Sequence, residues 1–168
     1  MRNIVLCGFM GCGKTSVGTL LAKRLGYAFT DTDLICEQQA GMSIDKIFAL
    51  MGESGFRAVE HSACRQAATL HDTVIATGGG ALTTQRNAEL FKDDTVIFLD
   101  ASFEEIERRI GGKGGRPLFK DVKKARVLYL SRIDRYKAAS DITVAADGTA
   151  EAVVDSIMQI IGGHYGEN

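Results

Sequence analysis

Gly8-Phe9-Met10-Gly11-Cys12-Gly13-Lys14-Thr15 lies directly after the apolar run Asn3 to Cys7 and directly before Thr15 to Leu25, where Val17, Leu20, Leu21 and Leu25 recur at helical spacing. The octapeptide matches G-x-x-x-x-G-K-[ST] in the strand, loop, helix setting that this phosphate-binding motif requires. Its glycines let successive backbone N–H groups turn inward around a β-phosphate, Lys14 can reach the β- and γ-phosphates, and the Thr15 hydroxyl can ligate Mg²⁺. Gly11, Cys12, Gly13, Lys14, Thr15 and Ser16 are therefore the expected nucleotide contacts. Cys12 has two readings, a reactive thiol at a helix N-terminus or a simple occupant of a variable loop position.

Outward from this loop, short apolar runs alternate with helical patterns. Ala28–Thr30, Thr73–Ala76, Thr95–Leu99 and Ile142–Ala145 read as four further strands. Between them, helices are expected over Leu34–Ala40, from Ser43 to Met51, and over Glu53–Thr69. Others are expected from Thr84 to Phe91, from Ser102 to Ile110 behind a capping box, over Lys123–Tyr136, and from Thr149 to Ile161. Parallel strands need crossover connections, so this alternation predicts an α/β fold with a sheet covered on both faces. The tail after Gly162 is expected to be disordered.

The 168 residues fit one domain, here residues 1–168. No apolar run approaches the roughly 20 residues needed to span a bilayer, and Gly8 and Lys14 interrupt the only stretch that resembles a leader, so no membrane role is expected. Four cysteines without metal-ligand spacing suit a reducing, cytoplasmic setting. Net charge is only −1, yet Arg108 to Lys137 is strongly basic. That run has few aromatics for base stacking, so a polyphosphate ligand explains it better than a nucleic acid. His61, His71 and His164 form no constellation with a serine or cysteine.

A switch GTPase is disfavoured, because Asp-x-x-Gly occurs nowhere in the chain. A small-molecule kinase needs a carboxylate for the acceptor hydroxyl, a cationic lid and groups that hold the acceptor. Asp31 and Asp33 flank Thr32 at a strand end, where open α/β sheets bind ligands; one can serve the metal and the other the hydroxyl. An Asp-x-Asp there is also an ordinary turn and helix cap. Gly111 to Lys120, with Lys113, Arg116 and Pro117, suits a flap that brings a cation to the γ-phosphate, and Arg116 is its leading arginine. Rival readings are another P-loop kinase, such as a gluconate or nucleoside monophosphate kinase, and a nucleotide-binding module without turnover.

Gly8-Phe9-Met10-Gly11, Gly13-Lys14-Thr15, Asp31-Thr32-Asp33, Gly55-Phe56-Arg57 with Glu60, Ala76-Thr77-Gly78-Gly79-Gly80, Gly111-Gly112, Arg116-Pro117-Leu118, and Arg132 with Tyr136 before Asp141 together resemble the shikimate kinase family nearly end to end. The resemblance implies a nucleoside-monophosphate-kinase-like P-loop kinase fold with a five-stranded parallel sheet, a mobile lid at about 111–120 and acceptor-binding helices at about 32–61. It implies phosphorylation of the shikimate 3-hydroxyl with ATP and Mg²⁺ by a cytoplasmic monomer. Asp33 would be the base, Asp33, Arg57, Gly79 and Arg132 would hold shikimate, Lys14 and Arg116 would act on the phosphates, and Thr15 and Asp31 would hold the metal. Arg109 falls where the family stacks an arginine on adenine, with Val144 to Thr149 as the adjoining loop. Two departures stand out. Arg132-Ile133-Asp134-Arg135-Tyr136 replaces the usual Arg-x-Pro-Leu-Tyr, and the run Val96–Leu99 ending in Asp100 nominates Asp100 as an alternative metal ligand.

Overall fold

The computed structural model describes residues 2–111 and 121–165. In chain order these form β1 (Ile4–Cys7), α1 (Lys14–Leu25), β2 (Ala28–Asp31), α2 (Thr32–Ala40), α3 (Ile44–Ala67), β3 (Thr73–Ala76), α4 (Gln85–Ala88), β4 (Thr95–Asp100), α5 (Phe103–Gly111), α6 (Val122–Ala139), β5 (Ile142–Ala145) and α7 (Ala150–Tyr165). All strand pairs are parallel and the sheet order is β2-β3-β1-β4-β5. Every residue of β1 and β3 is buried, so helices cover the sheet on both faces, as continuous apolar strands demand.

The order matters for the site. The chain leaves β1 for β2 and β3 on one side, then crosses to β4 and β5 on the other, so the loops that follow β1 and its neighbours part at a switch point. Register sets those loops at one level: Asp31 lies opposite Ala76, Ala76 opposite Leu6, and Leu6 opposite Ile97. Thr77 N–H continues the ladder to the Leu6 carbonyl at 3.0 Å.

Helix starts follow local chemistry. Ser43 caps α3 by accepting from Lys46 N–H, and Asp31 caps α2 by accepting from Asp33 N–H at 2.9 Å. The expected break between Met51 and Glu53 is a kink in α3 at Gly52, whose φ of 67° leaves the helical region. Other expectations need correction. The single helix from Thr84 to Phe91 is instead the short α4 followed by a 3₁₀ turn over Glu89–Phe91, and the Thr84 side chain bonds back to Ala81 O rather than capping. The Ser102 capping box is half made: Ser102 Oγ accepts from Glu105 N–H at 3.3 Å, but the Glu105 carboxylate turns to Arg108 and Arg109. Asp147 takes its place, accepting from Ser102 N–H at 2.6 Å. The tail expected to be disordered after Gly162 is helical to Tyr165.

No helix among the described residues is long and apolar enough to cross a membrane. The residue on which the edge turns is Gly8, with φ +144° and its Cβ position 2.8 Å from the Leu99 carbonyl oxygen. Any side chain there meets both backbone strain and a rigid neighbour. Gly8→Ala is expected to lower stability by about 1–3 kcal/mol and to weaken ATP binding, read from urea unfolding midpoints and nucleotide titration; an unchanged midpoint would show that the loop relaxes freely.

Candidate active site

The phosphate loop runs from β1 into α1 with Gly11 and Gly13 also at positive φ. Lys14 folds back along it: its ammonium donates to Gly8 O at 2.7 Å and to Phe9 O at 3.1 Å. Thr15 Oγ1 donates to Asp31 Oδ2 at 3.3 Å, which brings the two expected metal ligands together. Asp31 thus serves both readings, as helix cap through one oxygen and as partner of Thr15 through the other. A cleft of about 430 Å³ is lined by Gly11, Gly13, Lys14, Thr15, Ser16, Asp31, Asp33, Thr77, Gly79 and Arg109. Asp100 is not among its lining residues.

A hydroxyl beside a carboxylate is a hard-oxygen pair, the donor chemistry Mg²⁺ takes, and Mg²⁺ keeps several water and phosphate ligands so that few protein groups suffice. Among the described residues no cluster of three or more His, Cys, Asp or Glu side chains forms a closed metal cage. The residues present fit such a partly hydrated ion.

A second cleft of about 450 Å³ adjoins the first and shares Gly13, Ser16 and Arg109 with it. Its walls include Cys12, Val17 and the Ala146–Ala150 loop after β5. Arg109 joins these walls. Its guanidinium donates to Cys12 O at 3.0 Å, Ala146 O at 2.7 Å and Gly148 O at 3.0 Å, and Glu105 accepts from its Nε at 2.8 Å. With the edge N–H groups so engaged, the planar face is what remains for a flat base. Hydrogen bonds from Arg108, and to a lesser degree from Arg109, hold the Glu105 carboxyl down to about 2, so this brace stays ionised well into acid.

On the far side of the first cleft, two arginines meet at the glycine turn after β3. A Cβ on Gly80 would lie 2.8 and 3.1 Å from the two terminal nitrogens of Arg57 and 3.2 Å from Arg132 Nη2. A side chain on Gly80 would displace one or both guanidinium groups from their present positions. Arg132 reaches this point although its flanking residues depart from the expected pattern, and it also lies over the Phe9 ring, 5.9 Å from its centroid. Arg57 is paired as well, with Glu60 at 2.7 Å and Glu53 at 3.6 Å. The Glu60 side chain is only 2% exposed, so this pair holds the guanidinium beside Gly80 rather than leaving it a free surface charge. Asp33 closes the group, its Oδ1 2.6 Å from the Cβ position of Gly78.

The structure therefore brings together Gly11, Cys12, Gly13, Lys14, Thr15, Ser16, Asp31, Asp33, Arg57, Gly79, Arg109 and Arg132 along one sheet edge. Arg116 and the lid at about 111–120 lie outside the described residues, apart from Gly111 at the end of α5. Three side chains that sequence reasoning gave no role also hold the glycine turn: Thr32, Asn87 and Tyr136. The sequence signals were Thr32 and Tyr136, both within the family pattern, and Asn87 had none.

A family model described as shikimate kinase matches residues 10–162. A curated shikimate kinase of Geobacter sulfurreducens is 41% identical over 160 residues, covering 95% of this chain and 88% of that protein. A solved structure of shikimate kinase from Acinetobacter baumannii in complex with shikimate has a TM-score of 0.92 at 34% identity, covering 98% of this chain and 95% of that one. A gluconokinase from Sinorhizobium meliloti, covering 98% of this chain and 97% of its own, has a TM-score of 0.64 at 16% identity, a likeness of fold alone.

The cysteines are buried free thiols. Burial pushes Cys7 and Cys36 up to about 12 and Cys64 higher still. Cys12 is 1% exposed, which favours the loop-occupant reading over a reactive thiol. Alkylation by iodoacetamide at about pH 8 is expected to leave all four untouched in the folded protein and to label all four in denaturant; rapid labelling of Cys12 in the folded protein would restore its reactive reading.

Proposed function

This chain belongs to the shikimate kinase family, and on that premise we propose that it moves the γ-phosphate of ATP onto the 3-hydroxyl of shikimate, with Asp33 receiving the hydroxyl proton. The observation that carries this reading is the meeting of Arg57 and Arg132 at Gly80, on the same edge as Asp33 and the phosphate loop. Paired guanidinium groups select a carboxylate, because their planar forks match its two oxygens. An acceptor held there by its carboxylate presents a ring hydroxyl toward Asp33. This geometry favours a carboxylated alcohol over a nucleotide acceptor; gluconate also carries a carboxylate, so a direct substrate comparison is what separates it from shikimate.

In the transfer, the acceptor oxygen forms a bond to the γ-phosphorus as the bond to the β,γ-bridging oxygen breaks, and ADP leaves. The hydroxyl proton passes to the Asp33 carboxylate. Lys14 exchanges its bonds to Gly8 and Phe9 carbonyls for phosphate oxygens within reach of its flexible stem. The family resemblance assigns Arg116 to the transferring phosphate, and Arg109 with the loop after β5 to the adenine. Thr15 and Asp31 would hold Mg²⁺, which when bound offsets charge on the phosphates. The residue 32–61 helices would form the acceptor side of the domain and residues about 111–120 its lid. The free cysteines support a cytoplasmic setting, and the family resemblance supports a monomer that acts on small molecules without nucleic acid or membrane partners.

Coupled ADP release with ATP and Mg²⁺ is expected with shikimate and absent with gluconate, nucleoside monophosphates or no acceptor; release only with another acceptor would overturn the assignment. Asp33→Asn is expected to retain ATP binding while turnover falls about 10²–10⁴-fold, whereas near-normal turnover would remove Asp33 as base. Arg57→Ala would strand the buried Glu60 carboxylate and confound the result with misfolding. Arg57→Lys keeps the charge and loses the fork, and is expected to raise the shikimate KM about tenfold or more with the ATP KM little changed. Equal changes in both constants would argue against a carboxylate clamp.

A further inference from the structure

Three buried side chains fix the glycine turn from behind. Gly78 N–H donates to Thr32 Oγ1 at 2.9 Å, the Tyr136 hydroxyl donates to the Gly79 carbonyl, and Asn87 Nδ2 donates to the Ala81 carbonyl at 2.9 Å. Thr32, Tyr136 and Asn87 are 0%, 1% and 4% exposed, so water does not compete for these bonds. They come from α2, α6 and α4, three elements outside the sheet.

A trans peptide points its C=O and N–H in opposite directions, and the chain has no cis peptide among the described residues. With the Gly79 carbonyl held toward α6, the Gly80 N–H faces the other way. Neither the Gly79 nor the Gly80 N–H has a partner among the described residues. Both belong to the turn that Arg132 approaches at Gly79 and that Arg57 and Arg132 approach at Gly80. Asn87 ties down the exit of the same turn. Its amide is oriented by the network: Nδ2 must donate to Ala81 O, so Oδ1 accepts from His61 Nδ1 at 2.7 Å.

We propose that Tyr136 and Asn87 are positioning residues for the acceptor: Tyr136, by holding the Gly79 carbonyl, sets the direction of the Gly80 N–H beside the arginine pair, Asn87, by holding the Ala81 carbonyl, anchors the exit of the same turn, and together they set the affinity for the acceptor carboxylate. Tyr136 does this from the helix that also carries Arg132, one turn earlier on the same face. Its ring is stacked on Phe98, with centroids 5.2 Å apart, which fixes the hydroxyl's reach. Burial raises the Tyr136 pKa against a smaller opposing influence of Arg132, so the hydroxyl remains a donor at any working pH. The proposal rests on the assignment of Arg57, Gly79 and Arg132 to the acceptor.

Tyr136→Phe removes the hydroxyl and keeps the stacked ring. Loss of one such bond is expected to raise the shikimate KM, and the calorimetric Kd measured without ATP, about tenfold, with the ATP KM within about twofold and kcat less affected than the shikimate KM. Asn87→Ala is the second variant, expected to shift the same constants in the same direction, with thermal midpoints recorded for both. Shikimate constants unchanged in folded Tyr136→Phe, or shikimate and ATP constants raised together, would overturn the proposal. Arg57→Lys separates the two levels. A raised shikimate KM there but not in Tyr136→Phe sinks the positioning role and leaves the acceptor site standing, whereas no change in either variant removes the acceptor site and this inference with it.

Discussion

Parallel pairing around β1 is the constraint from which the rest follows. Because all five strands run the same way, their C-terminal ends open on one edge, and the central strand delivers its glycine loop between the ends of β3 and β4. Gly8 makes the turn possible there, where the Leu99 carbonyl leaves no room for a side chain. Once that loop is fixed, α1 begins inside it at Lys14, and Asp31, Thr77 and Gly79 arrive beside it from β2 and β3. The chemistry is thus assembled by backbone register before any side chain is chosen.

Electrostatics then divides the edge. Glu60 is a buried carboxylate whose desolvation is offset by Arg57, and that pairing fixes the Arg57 guanidinium beside Gly80. Two guanidinium groups against one glycine repel each other unless an anion lies between them. Glu60 relieves part of that repulsion for Arg57, while Arg132 is held against the Phe9 ring. The remaining positive field favours a carboxylate over a neutral alcohol, and in the proposed reading the acceptor's acid group is what it takes.

Much of this was legible in the chain. The phosphate loop and strand sequence came from local patterns, and the kink at Gly52 falls where the helical pattern breaks between Met51 and Glu53. Local chemistry misled where a distant partner intervened: Glu105 leaves its capping box for Arg108 and Arg109, and Asp147 takes up the Ser102 N–H from 45 residues away. The supports of the glycine turn were hidden for the same reason. Thr32 is 46 residues from Gly78 and Tyr136 is 57 from Gly79, so only the folded chain brings them into contact. Arg132 shows the converse. Its neighbours depart from the family pattern, yet the helix register still carries its guanidinium to Gly80.

The two halves of the site depend on different parts of the fold. Arg109 on α5 ties the phosphate loop to the loop before α7, so the nucleotide side is braced by carbonyls of Cys12, Ala146 and Gly148. The side proposed for the acceptor is braced by α2, α4 and α6 through bonds to the glycine turn. Gly79 is where they touch, its Cβ position 3.4 Å from Met10 N and 3.9 Å from Gly8 O. In the proposed reading that close backbone contact is what would set the acceptor facing the γ-phosphate, with separate braces on each side. On the proposed assignment, substitutions in one set of braces would act on one substrate's affinity, and a change at the Gly79 contact would act on the transfer itself.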